Sequence, residues 1–320
     1  MTDEILTRAQ AGAPLTKEDA CTLLSIPVGS KSYYDLLYAA NIYSRTAFAA
    51  HGIVFAQIGL DAQSCPVNCK FCSLSQEMRC HLAPEIKSIE NTITEAKSLV
   101  ESGITDLFLM TTAVFSQAEF LNYGRAVRAV MPQTMRMVAN VGDFDLDYAL
   151  QLKAAGFTGV YHICRLREGI DTCAAPETRV RTMNAVRDAG LELYYCVEPI
   201  GPEHCNEELA DEMLRIRDYP VNVMAVMKRI AVPGTALAHS GEISAARLAQ
   251  ICAVTTLVSR PKRAMGVHEP DELCLMAGAN QIYAECGCNP RDLAKDTKNG
   301  RGFSTADARA LLAKAEWKQS

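Results

Sequence analysis

Three cysteines fall on one short run, Ser64-Cys65-Pro66-Val67-Asn68-Cys69-Lys70-Phe71-Cys72. Spaced Cys-x3-Cys-x2-Cys, three thiolates on a tight loop can hold three corners of a cubane iron–sulfur cluster and leave the fourth iron without a protein ligand. A structural metal site closes its coordination shell, whereas an open position takes a small molecule, so the missing fourth cysteine points to chemistry. The competing reading is a zinc loop or a set of buried thiols. Zinc asks for two pairs of ligands or a pair with histidines, and His81, the next histidine downstream, has no second partner nearby. Cys65, Cys69 and Cys72 are therefore the candidate metal ligands, with the aromatic Phe71 beside them.

The bulk properties narrow the setting. A length of 320 residues suits two small domains or one of barrel size, and a hydrophobic share of 49% is ample for a single large core. The formal charge of -5 argues against a general nucleic-acid binder. Met1-Thr2-Asp3-Glu4 is not the basic start of a secretory signal, and no apolar stretch approaches the ~20 residues of a membrane span. Thirteen cysteines without an export signal imply a reducing interior, so the expected location is the cytoplasm and the thiols bind metal or stay reduced.

The elements that must position the cysteine loop repeat along the chain. From residue 53 onward, short β-rich apolar runs alternate with amphipathic stretches at roughly 30-residue intervals, the length of a strand–helix unit. Strands are predicted near Ile53–Ile58, Asp106–Val114, Met135–Asn140, Gly159–Cys164, Leu193–Glu198, Asn222–Arg229, Arg263–His268 and Gln281–Glu285. Helices lie between them, several closing on Ala-Gly as at Ala155-Gly156 and Ala189-Gly190. Eight such units predict an α/β fold of the (β/α)8 barrel type over 51–295. One or two helices precede it over 1–50, and a tail with a helix follows over 296–320. Such barrels carry their chemistry at the carboxyl ends of the strands, and the cysteine loop follows the first strand.

The cysteine loop resembles the signature of radical S-adenosylmethionine enzymes. That resemblance implies a [4Fe–4S] cluster whose open iron is chelated by the methionine amine and carboxylate of S-adenosylmethionine, with Phe71 beside the adenine. From about residue 30 to about 295 the chain is similar to biotin synthase. The likeness is carried by Tyr161-His162-Ile163-Cys164-Arg165-Leu166, Tyr195 to Glu203, Pro220 to Met224, Pro233 to Leu237 and Met276-Ala277-Gly278-Ala279-Asn280. It implies sulfur insertion into dethiobiotin by a 5′-deoxyadenosyl radical, with sulfur drawn from an auxiliary iron–sulfur cluster inside the barrel. It also implies a flavodoxin or ferredoxin as electron donor, a homodimer as in relatives, and residue roles. Thr111 and Thr112 stand where the methionine amine is contacted, Arg165 where the carboxylate is paired, Ile200 and Gly201 against adenine, and Asn222 at the ureido ring of dethiobiotin. For Arg165 a salt bridge to Glu198 or Glu168 competes with the cofactor role.

The chain departs from the family at the auxiliary cluster. Leu109 and Val138 occupy the slots of two cysteine ligands, and neither binds iron; Arg263 is the candidate for the family's arginine. Cys164, Cys196, Cys286 and Cys288 are the thiols expected to take over, suited to a four-iron centre of the anaerobic branch. For each the alternative is a small buried hydrophobe. Cys21, Cys252 and Cys274 fall on outer helices as packing residues, and Cys80, Cys173 and Cys205 in loops. His162 and His268 are read as structural. Two rival functions stay open: a sister radical enzyme resembling methylornithine synthase or the hydrogenase maturases, and a non-catalytic iron–sulfur scaffold or sensor.

Overall fold

The computed structural model describes residues 2–79, 83–219, 221–284 and 303–319. Eight parallel strands close into a barrel in sequence order. They are β1 (Ile53–Gly59), β2 (Asp106–Met110), β3 (Arg136–Asn140), β4 (Gly159–Tyr161), β5 (Glu192–Ile200), β6 (Val221–Lys228), β7 (Ala264–Val267) and β8 (Gln281–Ala284). β8 pairs with β1 through Ile53 and Gln281, which closes the ring. The expected (β/α)8 barrel is the observed fold.

The intervening helices match the apolar periodicity, and side-chain caps set where most begin. Ser88, Ser116, Asp145 and Ser244 each accept a hydrogen bond from the backbone N–H three residues on, starting helices at Ile89, Gln117, Leu146 and Ala245. Each such cap contributes about 1 kcal/mol. Ahead of the barrel come three helices (Thr2–Gln10, Lys17–Leu24, Lys31–Ala47) where one or two were expected; the capping box at Thr16 and Asp19 separates the first pair.

Two strands stop earlier than predicted. β2 ends at Met110 because the Thr112 N–H and hydroxyl both turn to the buried carboxylate of Asp61, just beyond β1. β4 ends at Tyr161 because the chain folds into a turn built on Glu168, which accepts from the Arg165 N–H at 3.0 Å and from Arg179 Nε at 3.2 Å. The strand predicted to run to Cys164 therefore stops three residues short of it.

The interior is layered by strand parity. At the amino end Asp106, Arg263 and Tyr194 form a polar plug: Arg263 Nη1 donates to Asp106 Oδ1 at 3.2 Å and Nη2 to the Tyr194 hydroxyl at 2.8 Å. Gly159 opens β4 beside this plug because a Cβ there would lie 2.6 Å from the Tyr194 ring. Above it Phe55 and Phe108 pack at 4.7 Å between centroids, and Phe108 meets Tyr194 edge-on at 5.3 Å. This dry middle layer seals the barrel and leaves the carboxyl end open.

Candidate active site

The cysteine loop spans the carboxyl end of the barrel, held by backbone bonds that its sequence makes available. The Cys65 N–H donates to Leu74 O at 2.9 Å, and the Cys72 N–H to Cys69 O at 3.1 Å. Asn68 takes the left-handed conformation (φ 48°), which asparagine tolerates, and its amide exchanges two 3.2 Å bonds with Glu77. Lys70 ties the loop across the barrel: its N–H donates to Asp171 O, and its carbonyl accepts from the Leu237 N–H, both at 3.0 Å.

Cys65, Cys69, Cys72 and Phe71 all line one open cavity, together with Thr111, Thr112, Tyr161, Arg165, Glu198 and His268. The three sulfurs are not all within 4.8 Å of one another, too spread for one ion but compatible with separate corners of a cubane. The Leu74 N–H points at Cys72 Sγ at 3.4 Å, a bond of the kind that tunes cluster sulfur. The donor set thus fits a three-thiolate iron–sulfur centre.

Cations converge on the same space. Burial opposes the charge of Arg165, but Cys69, Glu198 and Glu168 around it hold the guanidinium charged above its ordinary range. Its Nε lies 3.6 Å from Glu198 Oε1, so the salt-bridge alternative is present within the cavity wall. Burial pushes the Cys69 thiol up to about 12, partly countered by Arg165. Behind Arg165, Arg179 is buried and bonds Asp143 at 2.7 Å, and His162 Nε2 meets the other oxygen of Asp143 at 3.1 Å. Burial raises Asp143, yet the His162 hydrogen bond and Arg179 bring it to about 2.

The remaining sequence-predicted residues disperse. Ile200 and Gly201 do not line the cavity; Gly201 is packed against Arg229 and Glu203, where a Cβ would lie 2.4–2.6 Å from their side chains. Asn222 sits near the amino end of β6, its carbonyl accepting from the Arg263 N–H at 2.8 Å, at the opposite end of the barrel from the cysteine loop. Arg263 lies there too, in the polar plug, and is not placed to ligate at the mouth. Cys164 is buried behind the wall: its N–H donates to the Tyr195 hydroxyl, and Glu212 and Arg215 are its charged neighbours. Cys286 and Cys288 lie outside the described residues, as does Cys80.

Cys196 is the described auxiliary candidate that the fold brings inward. It is fully buried directly beneath Glu198 and His268, and the sulfur and the ligating atoms of these two residues all lie within 4.8 Å of one another. Tyr161 donates to Glu198 Oε2 at 2.8 Å, and the rings of Phe55, Tyr161 and Tyr283 surround His268 at 5.6–6.4 Å. The sequence reads His268 as structural and Glu198 only as a salt-bridge alternative for Arg165. The signal that finds them is strand parity, with Cys196 and Glu198 two apart on β5, plus the position of His268 just past the carboxyl end of β7.

Comparison with known proteins agrees with this architecture. No family model matches the chain. Its sequence is 26% identical to a biotin synthase of Hyphomonas neptunium, over 84% of this chain and 87% of that one. It is 22% identical to a biotin synthase of Buchnera aphidicola subsp. Schizaphis graminum, covering 87% and 86%. In fold it is similar to a methylornithine synthase (TM-score 0.82, 17% identity, 99% and 97% covered). The FeFe-hydrogenase maturase HydG from Carboxydothermus hydrogenoformans is also similar (TM-score 0.80, 17% identity, 100% and 79% covered). These structural likenesses agree with the closed (β/α)8 barrel seen here. In sequence the chain is similar to biotin synthases, at 22–26% identity. Among the described residues no helix is long and apolar enough to cross a membrane.

Proposed function

We propose that this protein is a radical S-adenosylmethionine enzyme of the biotin synthase type, acting on an unactivated C–H bond of dethiobiotin. The observation that carries the reading is the convergence of Cys65, Cys69, Cys72, Phe71 and Arg165 on one cavity at the carboxyl end of the barrel. Kinship with biotin synthases over more than four-fifths of the chain supports the substrate. When bound, the cluster and S-adenosylmethionine supply a 5′-deoxyadenosyl radical, which reaches bonds that acid–base groups cannot.

The chain's own part is placement and exclusion of water. Cys65, Cys69 and Cys72 would hold three irons of the cluster, and the Leu74 N–H donates to the sulfur of Cys72. Arg165 offers a charged fork to a carboxylate in the cavity, oriented by its backbone bond to Glu168. Thr111 and Thr112 present hydroxyl-bearing residues beside the loop, the second locked by Asp61. The aromatic layer of Phe55, Phe108 and Tyr161 closes the cavity below and protects a reactive intermediate from solvent.

A second reading, a radical rearrangement that needs no sulfur donor, is favoured by one observation. Among the described residues, the only cysteines lining the cavity are the three of the loop. One assay decides between them. Reduced, anaerobic protein given S-adenosylmethionine and dethiobiotin should release 5′-deoxyadenosine and form biotin. Release of 5′-deoxyadenosine without biotin would leave the rearrangement reading, and no release would remove both.

A further inference from the structure

We infer that the barrel interior holds a single divalent transition-metal ion, bound by Glu198 and His268, which line the cavity, and by Cys196, buried just beneath its floor. Three ligating atoms of different chemistry lie within 4.8 Å of one another, contributed by β5 and by the residue following β7. A thiolate with an imidazole selects a borderline ion such as Zn2+ or Fe2+ over Mg2+ or Ca2+, which prefer all-oxygen shells. Bond lengths of about 2.0–2.3 Å from one centre fit this grouping.

The surroundings are those of a supported site. Tyr161 donates to Glu198 Oε2 at 2.8 Å, fixing the carboxylate from behind as outer partners of metal ligands do. Aromatic rings on three sides of His268 hold the imidazole in place. Charge balances as well. On binding, the Cys196 thiol gives its proton to solvent; a dication with one thiolate and one carboxylate is neutral, and the Arg165 guanidinium 3.6 Å from Glu198 Oε1 adds one positive charge at the edge of the group. Because Glu198 and His268 line the cavity, a fourth coordination position faces it, open to water or to an oxygen or sulfur donor of a substrate.

This inference goes beyond the radical chemistry and stands without it. It also bears on the auxiliary centre, since the described residues bring one thiol to this floor and place Cys164 behind the wall. The test uses the full chain with its loop cluster assembled anaerobically, equilibrated with Zn2+, freed of excess metal and analysed for zinc, iron and sulfide. About one zinc per chain should accompany the roughly four irons of the loop centre. Cys196→Ser and His268→Gln should each bind zinc at least about tenfold more weakly with iron unchanged, the retained iron showing that the barrel is folded. Glu198→Gln, which keeps an acceptor for Tyr161, should do the same. Co2+ bound by the unaltered chain should show a thiolate charge-transfer band, a readout that needs no variant.

Zinc no higher than in the variants, or Co2+ without that band, would overturn the proposal. So would extra iron and sulfide beyond the loop centre that vanish in Cys196→Ser, because they would mean a cluster in place of one ion. Release of 5′-deoxyadenosine is scored separately, so failure of the metal site and failure of the radical reading are distinguishable.

Discussion

The mouth and the floor of the same cavity are built in opposite ways. At the mouth, the three thiols come from one short loop and depend on local bonds: Cys65 to Leu74, Cys72 to Cys69, Asn68 to Glu77. On the floor, Cys196, Glu198 and His268 come from strands far apart in sequence and meet only because the barrel closes. A local loop can be recognised from its spacing and loses its function when one ligand goes. A floor assembled by the sheet is chemically mixed, enclosed by packing, and carries no motif.

The largest expected contrast comes from one thiol in each region. Cys69→Ala should bring 5′-deoxyadenosine release to background with loss of loop iron, whereas Cys196→Ala should spare that release and abolish formation of the sulfur-containing product. Quantifying both products by mass spectrometry breaks the comparison if the two variants fail in the same way. Next in size is Arg165→Ala, which removes a charged hydrogen-bond donor from the cavity wall. S-adenosylmethionine binding should weaken about tenfold. Unchanged affinity would assign Arg165 to Glu198 alone, as its 3.6 Å approach allows.

The smallest effect concerns the wall between the two regions. Asp143 is held at about 2 against an ordinary 3.8, burial opposing the shift while His162 and Arg179 drive it. Its folded value lies below its unfolded one, so this stabilisation is complete above about pH 4 and lost as pH falls toward 2. Burial also lowers His162, against the pull of Asp143, which adds sensitivity as pH falls below the ordinary imidazole value of 6.5. Asp143→Asn should therefore lower the thermal midpoint near neutrality and narrow the difference from the unaltered protein in acid. A midpoint difference that grows with acidity would reverse this sign.

Much of the fold is legible before any coordinates. The strand starts at Ile53, Asp106 and Gln281 coincide with the predicted ones, because β-rich apolar runs bounded by glycine and capping serines leave few alternatives. Strand ends are less legible. The apolar run predicts β4 as far as Cys164, but Glu168 gathers Arg165, Thr172 and Arg179 and turns the chain after Tyr161, sending Cys164 outward. Asn222 and Arg263 read as site residues by resemblance, yet both sit toward the amino end of the barrel, where Arg263 neutralises Asp106.

The sequence by itself determined the cysteine loop, the eight strand–helix units and the face on which the loop emerges, since each depends on spacing and periodicity within a short window. Only the tertiary structure decided which side chains share the cavity. Closing eight strands into a ring sets the angular position of every inward residue, and that long-range register places His268 over Cys196 and keeps Cys164 outside.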